Sequence, residues 1–578
     1  MSSTQNLQGI TAHLRSETGN SKKTISHIWK NKKVFFISSF ASFGGLLYGY
    51  QQGVLGQAVV MHSFKQTFPE ATENSAKLGW LTSVLQLGGW VGSLSSGVFA
   101  QVYSRKHTMF AGSLWVVLGS FLAAGAQSIA YLYAGRLFTG LGVGTLSAIG
   151  PLYNAELSPP EMRGFIIALQ QLTTTIGIML AYWVAYGSNY IGSTGEGKSN
   201  FAWRLPMIIQ GVPAVCLAVG ILFMPFSPRL LASKGRDEEA VRTISYLRNL
   251  PEDDFLVRAE FLEIKADVEF EKRTFDKQFP TFGANSIWRR EFAQYSGLIR
   301  NKDAFKRVSL ASLVMFFQQW TGIDSIIYYA PIIFQSLSLT SSTSSLLATG
   351  VIGIINVATT IPAILYIDRI GRKPLMLLGS GGMCICEAII AIIVATCGHN
   401  WPAHAAAGWA AVVVTTGGAK TAFQFVWLYI VNFAYSWGPG SWILIAEIFP
   451  LSIRAKGTSI GASANWMNNF VIAFIVPPML AGIGWGTYLF FAAWSLAGGV
   501  FIWLYMPETK GRTLEEMDRV FGGGGLAGED EAVWRCVQEE VGLRALVDEF
   551  GRRGGEGGGV EGVVRDKGGP VHVEKVEV

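Results

Sequence analysis

Hydrophobic and polar positions along this chain fall into long blocks. Apolar runs of ~20 residues recur, the length at which an α-helix crosses a ~30 Å hydrocarbon core. Twelve such runs fall at 34–58, 77–101, 108–128, 130–153, 163–187, 205–225, 308–335, 343–367, 374–397, 421–446, 458–482 and 484–506. A backbone in lipid must satisfy its own N–H and C=O groups, so each run is predicted to be a helix. The ten-residue alternation of a membrane β-barrel is absent. Small residues crowd the runs: 40–56 holds Gly44, Gly45, Gly49, Gly53 and Gly56. In lipid such positions let helices approach closely.

Polar segments divide the runs six and six. The charged stretch 229–307 contains Asp237-Glu238-Glu239 and Glu260-Phe261-Leu262-Glu263, and 236–272 reads as short amphipathic helices. The predicted organisation is a tail at 1–33, a six-helix bundle at 34–228, a linker at 229–307, a second bundle at 308–507 and a tail at 508–578. The last segment is rich in glycine and charge, so it is expected to be mostly disordered after 522, with one helix near 530–548.

Composition agrees with a lipid solvent. Half of the chain is hydrophobic and 15% is charged, against roughly 25% charged in ordinary soluble proteins. The net charge of +6 comes from short basic clusters between runs, with no face suited to nucleic acid. Lys22, Lys23, Lys30, Lys32 and Lys33 precede the first run. Arg105-Lys106, Arg372-Lys373 and Arg454 with Lys456 follow the second, eighth and tenth, while alternate loops carry few cations, such as Lys65 and Lys198. The positive-inside rule then puts both termini in the cytoplasm. The first thirty residues are polar, so no cleaved signal peptide is expected. Four of the five cysteines lie in apolar runs and none has a metal-ligand spacing, so neither a disulfide framework nor a metal site is expected. No spaced histidine cluster, nucleophile elbow or phosphate loop suggests an enzyme or a cofactor; Gly140-Leu141-Gly142-Val143-Gly144 lies inside a run, where packing explains it.

The two sets of six repeat one pattern. Glu156 and Arg163 follow the fourth run as Glu447 and Arg454 follow the tenth. Arg105-Lys106 mirrors Arg372-Lys373, and Pro225 and Pro507 close the sixth and twelfth. A duplicated bundle suits alternating access, in which two halves rock about a midplane site.

Several motifs point to a family. Asp368 with Arg369-Ile370-Gly371-Arg372-Lys373 resembles the cytoplasmic loop motif of the major facilitator superfamily. Pro151-Leu152-Tyr153-Asn154-Ala155-Glu156, Gln170-Gln171-Leu172, Gln318-Gln319, Tyr328-Tyr329-Ala330-Pro331, Asn465-Trp466 and Pro507-Glu508-Thr509-Lys510-Gly511 resemble its sugar porters, fungal monosaccharide transporters above all. The resemblance covers about 34–521. It implies a major facilitator fold of twelve transmembrane helices in two pseudo-symmetric bundles, acting as a monomer in a plasma membrane bilayer, with a small sugar as cargo. By the same resemblance Gln171, Gln318, Gln319, Asn356, Trp442 and Asn469 match sugar-contacting positions, and Tyr328 and Tyr329 an extracellular gate.

Elementary chemistry agrees with a neutral, hydroxyl-rich cargo. An amide offers both donor and acceptor. One net hydrogen bond contributes only ~0.5–1.5 kcal/mol, while an unmatched buried group costs ~1–3 kcal/mol. A set of amides therefore selects by penalising mismatch, and tryptophan offers a flat surface to the C–H face of a sugar. A helix–helix hydrogen bond is the alternative role for each glutamine, and packing for Trp437 and Trp466. Glu156, Glu447 and Asp368, facing Arg163, Arg454, Arg105 and Arg372, are expected to lock the two halves at their cytoplasmic ends. Such pairs are individually weak, about 0–1 kcal/mol at exposed sites.

Three departures from the family pattern bear on coupling. Gly49-Tyr50-Gln51 stands where proton-coupled members carry an acid, leaving Arg136 in the fourth run without that partner. Asp324 stands where the family has an asparagine. An acid at midplane is costly by ~2.5–3.5 kcal/mol or more, and so marks a functional position; Asp324 is a candidate for sugar binding and for carrying a proton. Glu387 in the ninth run is a weaker candidate. Finally, the first loop motif is eroded between Gly97 and Arg105, and the exit of the sixth run, Pro225-Phe226-Ser227-Pro228-Arg229, lacks the glutamate customary in the family. Facilitated diffusion is expected, with proton symport as the alternative. The rival readings are a polyol, disaccharide or quinate carrier, and a non-transporting sugar receptor; quinate favours a cationic site, for which Arg136 and Lys420 are the available residues.

Overall fold

The computed structural model describes residues 32–192, 197–278, 295–298, 300–336, 341–397, 418–449, 453–508 and 526–546. These form two compact units, one built on Lys32–Ser227 and Thr281–Ala527, the other on Pro228–Pro280 and Gly528–Val578. In the first unit the chain runs through α1 (Lys32–Ala41), α2 (Phe43–Val59), α3 (His62–Thr67), α4 (Pro69–Glu73), α5 (Ser75–Val102), α6 (Arg105–Ala124), α7 (Ile129–Leu157), α8 (Pro160–Ser188), α9 (Asn200–Ile209) and α10 (Gly211–Ile221). The second unit takes α11 (Pro228–Ser233), α12 (Asp237–Arg248) and α13 (Phe255–Gln278). The first resumes with α14 (Lys302–Trp320), α15 (Ile323–Ser336), α16 (Ser342–Ile370), α17 (Arg372–Cys397), α18 (Gly418–Tyr435), α19 (Trp437–Glu447), α20 (Arg454–Gly482) and α21 (Gly486–Tyr505). The tail helix α22 spans Leu526–Glu540.

Every predicted run coincides with one helix or with a helix broken in two. Breaks fall at Ser42, Gln210, Thr321-Gly322 and Ser436. Among the described residues, five segments are long and apolar enough to cross a membrane by length and composition: Arg105–Ala124, Asn200–Ile221, Ser342–Ile367, Arg372–Thr396 and Gly486–Tyr505. Several of the others are broken or carry amides that lower their hydropathy, as Gln51, Gln52 and Gln57 do in α2 and Gln318 and Gln319 in α14.

Packing follows the sequence repeat. In the first half α5 packs on α7, α6 on α7, α2 on α8, and α10 on α6; in the second half the equivalent pairs are α16 with α18, α17 with α18, α14 with α20, and α21 with α17. Across the halves α5 packs on α20 and α8 on α16, which the repeat makes equivalent. Small residues permit the closest approaches, as expected where lipid removes the hydrophobic drive between helices.

The second unit is held by charge and a small core. Asp237, Glu238 and Glu239 occupy the first turn of α12 and Arg248 its last, complementing the helix dipole. Asn249, at φ 57°, ends that helix in the left-handed region that asparagine tolerates. Ala240, Ile244, Leu247, Val257 and Phe270 are buried. Arg248 pairs with Glu260 and Lys265 with Asp237. Trp534 of α22 meets Phe270 edge-on at 5.5 Å, and Arg273 pairs with both Glu269 and Glu540. The predicted tail helix near 530–548 thus begins at Leu526; the tail beyond 546 and the first 31 residues lie outside the described residues.

Candidate functional site

Both halves contribute to one internal cavity. From the first half come Tyr48 and Gln52 of α2 and Gln171, Thr174, Thr175 and Ile178 of α8. The second half supplies Gln318 and Gln319 of α14, Ile323, Asp324 and Ile327 of α15, Asn356 and Thr360 of α16, Phe433 and Ala434 of α18, Gly438 and Trp442 of α19, and Asn465 of α20. The cavity is narrow, about 60 Å³, against roughly 300–1,000 Å³ for open ligand clefts.

Two helix breaks shape its second-half wall. Gly322 sits at φ +89°, where a side chain would be strained, and a Cβ there would stand 2.7 Å from the Phe491 ring and 3.0 Å from the Glu387 carboxylate. The Thr321 carbonyl freed by this break accepts from the Tyr429 hydroxyl at 2.8 Å. At the Ser436 break the Trp437 carbonyl accepts from Gln318 Nε2 at 2.9 Å. Irregular backbone at membrane depth persists where buried groups satisfy it in this way.

Six of the seven sequence-predicted contact residues line the cavity: Gln171, Gln318, Gln319, Asp324, Asn356 and Trp442. Their hydrogen bonding differs. Gln318 is engaged on both sides, since Asn465 Nδ2 donates to its Oε1 at 2.7 Å. Gln319 Oε1 and Asp324 Oδ2 are buried with no partner among the described residues. Asn469 is not among the lining residues; its Oδ1 accepts from the Tyr328 hydroxyl at 2.9 Å. Trp437 is fully buried and donates to Ser380 Oγ at 2.8 Å, a packing role. Trp466 packs against Tyr48, ring centroids 5.2 Å apart. Sequence reasoning missed Tyr48 and Gln52. They sit one helical turn apart on α2, and Gln52 Nε2 donates to the Tyr48 hydroxyl at 3.0 Å. That i, i+4 spacing of two polar groups in an apolar run was the available signal.

The halves meet most closely at one end. Gly56 lies against the Tyr328 carbonyl and Gly79 against that of Phe474. Tyr182 donates across the halves to the Ile327 carbonyl at 2.9 Å, while within the second half Tyr329 donates to that of Ala473 at 2.5 Å. Gln52 Nε2 also reaches the Tyr328 hydroxyl at 3.4 Å. Further along α5, Trp90 donates to Ser463 Oγ at 2.7 Å. Beyond it, Gly97 faces open space, and Phe99 and Tyr103 are exposed.

The ionic residues at the other end correct one expectation. Arg105 donates through Nε and Nη2 to Glu156 Oε1, at 3.2 and 2.9 Å. Arg372 pairs with Glu447 at 2.8 Å. Both pairs join helices of the same half and neither bridges the two. Neighbouring turns bring these residues together within each repeat, so the repeat itself dictates the pairing. The side chains of Arg163, Arg454 and Asp368 lie outside the described ones, as does that of Lys420. Glu508 accepts from the backbone N–H groups of Arg372 and Lys373, both at 3.1 Å, and so caps α17. The first half, which lacks that glutamate, caps α6 with Ser104, whose Oγ accepts from the His107 N–H at 3.0 Å.

Arg136 is 3% exposed, and among the described residues its guanidinium donates to the Gln51 and Thr82 carbonyls alone, each at 3.4 Å. Gln51 is buried with its Nε2 unpartnered among the described residues. Glu387 is buried behind the Gly322 break and accepts from the Ser495 hydroxyl at 3.1 Å.

This cavity lies between repeated half-bundles, an arrangement that suits a carrier. The family described as "Sugar (and other) transporter" matches residues 37–521. "MFS glucose transporter mfs1" of Aspergillus flavus is 35% identical over 529 residues, covering 89% of this chain and 94% of that one. "Probable quinate permease" of Aspergillus niger is 31% identical over 516 residues, covering 88% and 90%. The structure of the major facilitator superfamily proton:xylose symporter XylE, bound to 6-bromo-6-deoxy-D-glucose, superposes with a TM-score of 0.65 at 25% identity, covering 85% of this chain and all of that one. The chain belongs to the sugar porter family of the major facilitator superfamily and is a multi-pass membrane protein.

Proposed function

We propose that this protein carries a monosaccharide, a hexose by preference, across the plasma membrane by alternating access, and that it does so as a monomer without enzymatic activity. The observation that carries this reading is the convergence of Gln171 and Gln52 from one half with Gln319, Asn356 and Trp442 from the other on one cavity. A cargo that bonds to both halves at once favours the closed arrangement, and release on either side follows as the halves tilt. The cavity's narrowness suits an arrangement that opens to admit cargo. The positive-inside pattern assigns the end of the Lys65 and Lys198 loops, where Gly56 and Gly79 make their close contacts, to the outside, so Tyr328 and Tyr329 act at the outer gate. The Arg105–Glu156 and Arg372–Glu447 pairs act within each half, stiffening the cytoplasmic ends that must move as units.

Facilitated diffusion is the preferred mode, because Gln51 offers Arg136 no carboxylate to exchange for a proton. One observation favours the alternative of proton symport: Asp324 brings to the cavity wall a buried carboxyl group with one oxygen unpartnered among the described residues. Uptake of labelled glucose into proteoliposomes, with and without an imposed pH gradient, tests both. Equilibration without accumulation is expected. Uphill accumulation driven by protons overturns the uniport mode, and Asp324→Asn should then abolish accumulation while sparing exchange. Failure to pass any sugar overturns the transport reading.

A further inference from the structure

The cavity is lined by one acidic side chain and, among the described residues, by no basic one. Among its described lining residues Asp324 is the single carboxylate, and there is no lysine, arginine or histidine. Asp324 is 2% exposed, and its Oδ2 finds no hydrogen-bond donor among the described residues. Arg136, the buried cation of the first half, is not a lining residue; its guanidinium is turned to the Gln51 and Thr82 carbonyls. Glu387, another buried acidic side chain of this half, lies on the other side of the Gly322 break.

An ionised carboxylate only accepts hydrogen bonds, and its two oxygens can take two donors side by side. Two adjacent hydroxyls of a ring polyol supply that pair, as charge-assisted bonds about twice as strong as neutral ones. The amides of Gln171, Gln319 and Asn356 then match the remaining hydroxyls in either sense. A ring polyol that itself bears a carboxylate brings a second negative charge into a buried site without a cation. Like charges set against each other there cost several-fold more than a missing hydrogen bond.

We propose that Asp324 is the residue that sets cargo class, admitting neutral polyols with adjacent hydroxyls and excluding ring hydroxy acids of the quinate type. The inference rests on the transport reading above.

The test uses purified full-length protein in proteoliposomes, with exchange of labelled D-glucose as the readout. Competitors are unlabelled glucose, quinate and the uncharged methyl ester of quinate. Wild type is expected to be inhibited by the ester at concentrations at least about tenfold below those at which quinate acts. Asp324→Asn and Asp324→Ser should narrow that gap, while half-inhibition by glucose rises. Detergent-solution melting of both variants guards against misfolding, and the wild-type comparison of acid with ester decides the matter even if neither variant folds. Exchange of glucose with equal inhibition by acid and ester overturns the role of Asp324 and leaves transport standing. Absence of glucose exchange in wild type overturns the transport reading, and the inference with it.

Discussion

The backbone of Gly56 lies so close to the Tyr328 carbonyl that a Cβ built on Gly56 would stand 1.9 Å from that oxygen. The contact joins α2 of the first half to α15 of the second, beside the hydrogen bond from Tyr328 to Asn469. Only glycine permits it. Gly56→Ala is therefore expected to hold the outer end apart, lowering sugar uptake at least about tenfold while leaving sugar binding by the folded protein within a few-fold, because no cavity residue changes. Uptake at the wild-type rate would show that this contact is no part of the gate.

The amides of the cavity divide into two kinds. Gln171 and Asn356 line it from opposite halves, whereas Gln318 is held by the Trp437 carbonyl and by Asn465. Gln171→Ala and Asn356→Ala should each leave a sugar hydroxyl unmatched at ~1–3 kcal/mol, raising KM about tenfold to a hundredfold. Gln318→Ala should instead lower the melting temperature, because it removes the oxygen that the buried Asn465 Nδ2 donates to at 2.7 Å and one of the donors to the Trp437 carbonyl. KM and melting curves for the three variants separate the groups; a KM effect confined to Gln318→Ala would reverse the assignment.

Much of this was legible in the sequence, and the failures have physical reasons. Hydropathy gave the second run as 77–101, and the helix is Ser75–Val102, because one long unbroken apolar helix leaves little else to decide. The seventh run read as continuous over 308–335, yet it breaks at Gly322, since apolarity persists across a break that only tertiary partners such as Tyr429 can satisfy. Gln51 drew notice because of its place in a motif, while Gln52 lines the cavity. Consecutive residues on a helix point about 100° apart, and a motif position does not say which one faces inward. The acid–base residues were recognisable, but their pairing within each half depends on which turns adjoin in space.

The two ionic pairs differ in exposure. The side chains of Arg105 and Glu156 are 11% and 5% exposed, those of Arg372 and Glu447 9% and 32%. Removing one partner of a buried pair strands the other at ~3–5 kcal/mol, and solvent reduces that loss for the second pair. Glu156→Gln is expected to lower the melting temperature more than Glu447→Gln. The charge-reversed double variant Arg105→Glu with Glu156→Arg should recover part of the loss. Equal effects would contradict the burial difference.

Docking of the tail helix should depend on pH and salt. Hydrogen bonding to Arg273 holds the Glu540 carboxyl below its ordinary value of 4.5, with Cys536 adding to the effect. A carboxyl depressed on docking contributes stability that is fully present above its free value and is lost as pH falls through the docked one. The pair is solvent-exposed, so salt weakens it as well. Spin labels on α13 and α22 should separate as pH drops below about 4 and at high salt, and Glu540→Gln should be insensitive to pH over that range. A distance unchanged by acid, salt and this substitution would show that Phe270 and Trp534 alone hold the helix.

Sugar exchange by the reconstituted, correctly inserted protein is the most direct measurement of all. Labelled glucose loaded on one side should leave faster when unlabelled glucose, xylose, galactose or fructose is present on the other. The combined Gln171→Ala, Asn356→Ala variant should abolish that acceleration. No acceleration by any of the four sugars, or full acceleration in the double variant, would contradict a carrier that holds its cargo between the two halves.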